Sequence, residues 1–291
     1  MSERSERTIR HSAYPAGVVA RRIGVAVTTL RTWHQRYGLG PSGHAPGHHR
    51  RYTDEDIQRL EAMQRLIVEG VAPGEAARWV SSGVSLSTSS GIAPGADPAA
   101  RGIGRAALRL DYPAVRRRIT ETLRDLGVVD TWDTVLCPVL ASIGERHAAT
   151  GRLIEVEHLL SYCVSEVLGA VPRPAAPARI LLACGDEEQH SLPIEALAAA
   201  LAVEGVPARM LGARVPPGAL MAAVRRTGPA AILVWSHHES TAHPAHLLAA
   251  AAEHRPLLVA AAGPGWSTVP AGFARPTSLR EALAMLISAA T

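Results

Sequence analysis

Four short apolar runs toward the C-terminal end of the chain constrain its fold more than any other feature: RILLACG at 179–185, PARMLG at 207–212, AAILVWS at 230–236 and PLLVAAAG at 256–263. Their apolar residues are mostly consecutive rather than alternating, and Ala-rich helical stretches separate them. Runs of that kind are strands covered on both faces, so the pattern predicts a parallel sheet between two layers of helices. Ligands of such sheets sit beyond the carboxyl ends of the strands. GDEEQHSLP follows the first run and places His190 at the strand-to-helix turn, with Glu188 two residues earlier. A neutral imidazole ligates transition metals, and a nearby carboxylate takes its other ring N–H. For any single histidine, a solvated loop position is the plainer reading. WSHHESTAHPAHLL, after the third run, adds His237, His238, His243 and His246, residue types suited to a haem, another tetrapyrrole or a transition metal. Tight metal spacing such as His-Glu-x-x-His is missing there, and a solvated loop leading into a helix N-terminus accounts for that stretch too.

With 291 residues the chain has room for two or three compact units. Residues 178–291 form the sheet domain, and the Pro-rich VPRPAAPA precedes it. Helical patterns at 103–110, 112–127, 129–149 and 153–171 predict a four-helix bundle over 102–172. Residues 84–101, rich in Ser, Gly, Ala and Pro without apolar period, predict a flexible linker. Residues 1–83 read as short helices: AGVVARRIGV, a turn at Gly24, AVTTLRTWHQRYG, a basic turn GHHRRY, and a helix capped by Thr53 with Asp54, Glu55 and Asp56 in its first turn. Residues 1–53 hold nine Arg against two Glu, a balance of +7, while the whole chain carries +4, so the remainder sums to −3. Basic charge concentrated on one small module suits a polyanionic partner. Cys137, Cys163 and Cys184 are odd in number and widely spaced within apolar patterns, which predicts buried free thiols. MSERSERTIRHS carries no apolar signal segment, and apolar stretches elsewhere are interrupted by charge, Pro or Gly, so a soluble cytoplasmic protein is expected.

The stretches GVAVTTLRTWHQRYGL and HHRRYTDEDIQRL resemble the two characteristic segments of MerR-type winged helix-turn-helix proteins, with the Leu-Arg-x-Trp core, the Arg-Tyr pair and the Arg-Arg-Tyr wing. The resemblance implies that Thr28, Thr29 and Arg31 face the major groove, that Arg36, Tyr37, His49, Arg50, Arg51 and Tyr52 contact phosphates, and that Leu30 and Trp33 pack beneath the recognition helix. The partners it implies are double-stranded operator DNA, further copies of the chain as a dimer or tetramer, and RNA polymerase, with no membrane.

Residues 100–291 resemble the helical cap and the Rossmann-like, flavodoxin-like cobalamin-binding domain of the CarH and LitR light-responsive repressors. That family carries Glu-x-His-x-x-Gly at a strand end, and its histidine ligates cobalt from below. Here the stretch reads Glu188-Gln189-His190-Ser191-Leu192-Pro193, so Pro193 stands where the family has Gly. The family's Ser-x-Leu and Gly-Gly elements, which line the pocket of the cofactor's nucleotide tail, appear as Ser236-His237-His238 and Ala262-Gly263. Its cap signature, a Trp followed after nine residues by Glu-His, appears as His147 with Glu157 and His158. Ala148 occupies the position of the histidine that takes the cobalt after light exposure in the best-known pattern. The resemblance therefore implies adenosylcobalamin as cofactor, His190 as metal ligand, and His147, Glu157, His158, Glu188, Ser236 and Gly263 as cofactor-binding residues, with the pocket altered at His147, Pro193, His238 and Ala262.

A multi-domain regulator follows from these readings: an α winged helix-turn-helix, a four-helix-bundle cap and an α/β parallel-sheet domain, repressing transcription and sensing light or ligand through a cobalamin-type cofactor. The alternative is a MerR-type regulator independent of cobalamin, with a vestigial pocket or a different ligand: haem, another tetrapyrrole or a protein partner. Cobalamin-dependent methyltransferases share the cap-plus-sheet pair, but the chain holds a DNA-binding module in place of a substrate-activating domain, and catalysis is not expected.

Overall fold

The computed structural model describes residues 14–42, 50–68, 73–81 and 97–290. Two compact units divide the chain: Met1–Gly95 with Glu145–Leu153, and Ala96–Gly144 with Ile154–Thr291.

In the first unit, β1 (Tyr14–Pro15) pairs antiparallel with β2 (Arg51–Tyr52) and is followed by α1 (Ala16–Ile23), α2 (Val27–Tyr37), α3 (Asp54–Val68) and α4 (Pro73–Ser81). Each helix buries one stripe. Val19, Ala20 and Ile23 of α1, Leu30 and Trp33 of α2, and Ile57, Leu60, Met63 and Leu66 of α3 share one core. Thr53 and Asp56 begin α3 with a reciprocal cap, in which Asp56 N–H donates to Thr53 Oγ1 at 3.2 Å and Thr53 N–H to Asp56 Oδ2 at 3.0 Å. Asp56 is buried, and its carboxylate also accepts from the Ser42 N–H at 3.1 Å and the Ser42 hydroxyl at 2.6 Å and pairs with Arg59. One side chain thus ties residue 42 to residue 53, the two flanks of the wing segment.

The second unit starts with helices α5 (Pro98–Leu108), α6 (Tyr112–Thr131), the part of α7 (Cys137–Thr150) up to Gly144, and α8 (Ile154–Gly169); the last turns of α7 belong to the first unit. Asp97 caps α5 by accepting from the Ala99 N–H at 2.7 Å, so the helix begins inside the stretch 84–101 expected as linker; residues 84–96 lie outside the described residues. Gly127, at φ 76° and ψ 173°, breaks α6 where the sequence pattern separates 112–127 from 129–149. Only glycine occupies that backbone region cheaply. Across the break the buried Thr131 hydroxyl donates to the Thr122 carbonyl at 3.1 Å, satisfying an acceptor that the kink frees. A π-helical turn, Trp132–Leu136, then leads into α7. The helix from Tyr112 to Thr150 contains an 18-residue window of mean hydropathy 1.4, long and apolar enough by composition to cross a membrane. Val135, Leu136, Val139 and Ile143 within it are buried, as in the core helix of a bundle.

Four parallel strands follow: β3 (Ile180–Cys184), β4 (Ala208–Met210), β5 (Ala231–Trp235) and β6 (Leu258–Ala262), in spatial order β4-β3-β5-β6. They alternate with α9 (Leu192–Val203), α10 (Pro217–Thr227), α11 (Pro244–His254) and α12 (Leu279–Ala290). Leu181, Ala183, Ile232, Val234, Val259 and Ala261 pack against Leu220 and Val224 of α10 and Leu247 and Ala250 of α11. On the other face α9 and α12 pack together, α9 against β3 and α12 against β5 and β6. The two-sided cover explains the consecutive apolar residues of β3, β5 and β6, whereas the edge strand β4 is half-buried at Ala208 and exposed at Arg209 and Met210, so the cover that the sequence pattern predicts for it is not found. Helices α6 and α8 also pack on α9, so bundle and sheet form one unit where the sequence pattern separates 102–172 from 178–291. Arg280 of α12 pairs with Asp130 of α6 at 2.5 Å.

Candidate nucleic-acid interface and strand-end histidine site

On α2, Thr28 and Arg31, two of the three residues expected to face the major groove, and Arg36, expected at a phosphate, are exposed, while Leu30 and Trp33, expected beneath the helix, are buried. Thr29 and Tyr37 are half-buried, and Tyr37 packs against the module core. Arg50 is half-buried, Arg51 is exposed on β2, and His49 lies outside the described residues. Tyr52 corrects the sequence reading. Its side chain is 0% exposed, its residue pairs with Tyr14 across the β1–β2 ladder, and its hydroxyl is buried without a hydrogen-bond partner among the described residues. A ring so enclosed holds the wing to the helices and does not reach a phosphate. Burial raises its phenol above the ordinary value.

The order β4-β3-β5-β6 places the chain's reversal of direction between β3 and β5, and the crevice beyond their carboxyl ends is where sheets of this kind take ligands. The loops leaving those two strands meet there. Glu188, 1% exposed, joins them. One carboxylate oxygen accepts from the His190 N–H at 2.9 Å and from His190 Nδ1 at 2.6 Å; the other accepts from the His237 N–H and the Thr241 hydroxyl, both at 2.6 Å. Burial alone would raise this carboxyl, but the bonds from Thr241, His190 and His237 outweigh it and hold the pKa at about 2. Nδ1 of His190 is thereby committed, and Nε2 on this exposed ring is left to a ligand. His237 and His238 stand beside it, with ring centroids 4.4 and 5.2 Å from that of His190. Desolvation, then the fields of His190 and His238, lower the pKa of His237 and favour its neutral form. Cys184, buried at the end of β3, has its thiol pushed up to about 12 by burial and then by Glu188 and Glu195, so it is an inert core group. Cys163 is also buried, but Cys137 is exposed, so the expectation of three buried thiols fails at the first turn of α7.

The other expected cofactor residues divide. Ser236 is 0% exposed and donates its hydroxyl to the Thr241 carbonyl at 2.8 Å. Gly263 lies at φ +105°, and a Cβ there would stand 2.3 Å from the Ser236 carbonyl oxygen, so this turn needs glycine. Ala262 is buried at the end of β6, and Pro193 sits in the first turn of α9, where proline needs no N–H partner. Glu157 is half-buried on α8 and accepts from Ser161 on the same helix at 2.8 Å; His158 is exposed. Neither is part of the histidine cluster. His147 donates from Nδ1 to the Arg152 carbonyl at 3.0 Å and closes the turn after α7. The resemblance puts Ser236-His237-His238 in the same pocket as His190, but the sequence does not set the three histidine rings side by side, and it passes over Thr241. Its missing signal is strand adjacency, which sets β5 beside β3.

The fit to a corrinoid is good at the metal. An exposed imidazole with its second nitrogen on a buried carboxylate is the donor set that a cobalt lower ligand needs. Beside Gly263 the Trp235 indole leaves a buried Nε1–H without an acceptor among the described residues, a donor that an incoming amide or phosphate would satisfy.

A basic helix-turn-helix module followed by a helical bundle and a parallel sheet is the architecture of a DNA-binding transcriptional regulator. Residues 14–83 match the family model described as MerR HTH family regulatory protein. The HTH-type transcriptional repressor CarH of Myxococcus xanthus is 31% identical over 227 residues, covering 74% of this chain and 76% of the relative. The HTH-type transcriptional repressor CarA of the same organism is 28% identical, covering 72% of each. A solved structure, the monomethylamine corrinoid protein of Methanosarcina barkeri, aligns with a TM-score of 0.49 at 10% identity, covering 63% of this chain and 94% of that one. The chain belongs to the CarH-like branch of the MerR regulators.

Proposed function

We propose that this regulator represses transcription by binding operator DNA as a dimer or tetramer through α2 and the wing, and that its second unit senses light or cofactor status through adenosylcobalamin bound at His190. The observation that carries the cofactor reading is the Glu188–His190 pair at the switch point between β3 and β5. When bound, the cofactor supplies a photolabile cobalt–carbon bond. The chain supplies the rest: His190 offers Nε2, Glu188 fixes its ring, and the strand-end loops shape the floor. A cofactor that binds one quaternary state more tightly shifts the population toward that state, and with it operator affinity.

Ser236 favours the second reading, a regulator of the same ancestry with another ligand, because its hydroxyl is spent inside the fold rather than open to a nucleotide tail. One experiment separates the two. Protein mixed with adenosylcobalamin in the dark, desalted and then illuminated should retain corrin bands that shift with light, with a change in mass by sizing chromatography, and His190→Ala should lose both. A colourless protein of constant mass would overturn the cofactor reading and direct the search to haem, other tetrapyrroles and protein partners.

A further inference from the structure

Three imidazoles meet at one point of the surface. One ring nitrogen from each of His190, His237 and His238 lies within 4.8 Å of those from the other two, and all three side chains are exposed. They come from two loops, and the buried Glu188 carboxylate pins both by accepting from His190 Nδ1 and from the His237 backbone N–H. The His237 and His238 rings stand edge to face at 4.8 Å between centroids.

We infer that this cluster is a binding site for a divalent transition-metal ion of the Zn²⁺, Co²⁺, Ni²⁺ or Cu²⁺ class, held by three imidazoles with a fourth position open to water or a small ligand. The inference goes beyond the corrinoid reading and is independent of it, since the ion binds the chain directly. Three arguments carry it. Neutral imidazole is a preferred donor for these ions, whereas Ca²⁺ and Mg²⁺ require oxygen. Tetrahedral metal–nitrogen arms of 2.0–2.1 Å set ligand nitrogens about 3.4 Å apart, so the three must close by about 1.4 Å at most, within the reach of side-chain torsions on exposed rings. The third argument is the arrangement behind the ligands. A carboxylate on the far nitrogen of a metal-binding histidine fixes its tautomer and direction, and here the carboxylate is already seated and bonded to both loops before any ion arrives. The sequence hides the site because 47 positions separate His190 from His237; it forms because β3 and β5 are neighbours.

Tag-free full-length protein without corrinoid is titrated with Co²⁺, read by its visible ligand-field bands, and with Zn²⁺, read by calorimetry and by displacement of the Co²⁺ bands. One equivalent should saturate the site. His237→Ala and His238→Ala should each weaken binding by at least about tenfold, since even residues behind the ligands contribute factors of 10–100, while His243→Ala, on the same loop outside the cluster, should leave it unchanged. Circular dichroism and chromatographic mass verify that the variants are folded. As a readout that needs no substitution, the ring ¹⁵N resonances of His190, His237 and His238 should shift together at one equivalent of Zn²⁺. The proposal is overturned by a titration without a saturable one-equivalent phase, by binding that survives His237→Ala/His238→Ala intact, or by ring resonances that do not move. Failure to retain adenosylcobalamin leaves every one of these readouts in force, so the two ideas fail separately.

Discussion

Glu188 and Asp56 are buried carboxylates that do the same job in different units: each accepts several hydrogen bonds and so closes a loop. Replacing Glu188 with Ala removes an acceptor from His190, His237 and Thr241 and leaves the part-buried N–H groups of His190 and His237 short of a partner. The unit should lose about 1–3 kcal/mol in urea unfolding, by the usual cost of an orphaned buried donor. Asp56 allows a test by pH. Burial pushes its carboxyl upward, but the bonds from Ser42 and Thr53 and the pairing with Arg59 outweigh that and depress it below the ordinary 3.8. A depressed carboxyl contributes stability that is present above the unfolded value and is lost as pH falls through the folded one. The N-terminal module should therefore lose stability on acidification below about pH 4, and Asp56→Asn should flatten that stretch of the profile, measured by thermal unfolding against pH. Tyr52 predicts the opposite kind of result. Because its hydroxyl is buried and without a partner among the described residues, Tyr52→Phe should leave unfolding and operator affinity unchanged or slightly improved; a marked loss of DNA affinity would restore the phosphate role that the resemblance implies.

Among the elements, α2 and α6 carry the clearest tests. On α2 the exposed Thr28 and Arg31 lie opposite the buried Leu30 and Trp33. Arg31→Ala should weaken operator binding by about 1–3 kcal/mol and relax discrimination at one base position, whereas Arg36→Ala should weaken binding to all sequences alike and reduce the salt slope by about one. On α6 the kink at Gly127 sets the path into the π-helical turn. Gly127→Ala should cost about 1–3 kcal/mol, because the residue must keep a backbone geometry that side chains disfavour, seen as a lower unfolding midpoint. The sequence pattern shows this break as a change of helical phase after 127. It does not show that α8 and α6 continue onto α9, since inter-element packing leaves no mark on the periodicity of either partner.

For the whole molecule, the two proposals for the β3–β5 switch point call on one nitrogen: Nε2 of His190, left free by the bond of Nδ1 to Glu188, is the lower ligand of a corrinoid in one and a ligand of the ion site in the other. Protein preloaded with Zn²⁺ should accordingly retain less adenosylcobalamin after desalting than metal-free protein, and chelation should restore the difference. Equal retention would mean that the two ligands do not share the nitrogen.

The sequence by itself determined most of the helices and the order of the four parallel strands: apolar periodicity marks the helices, consecutive apolar residues mark the strands, of which β3, β5 and β6 are covered on both faces, and the motifs around Trp33 and His190 mark the module and the strand-end site. It determined, too, that Glu188 would serve His190, because a two-residue separation is local chemistry. Tertiary structure alone decided which distant residues meet. The order β4-β3-β5-β6 brought His237, His238 and Thr241 to Glu188, packing enclosed Tyr52, and α9 joined the bundle to the sheet. Local sequence carries the backbone preferences of each segment, but adjacency is settled by burying all of their apolar faces at once, a condition that no single segment contains.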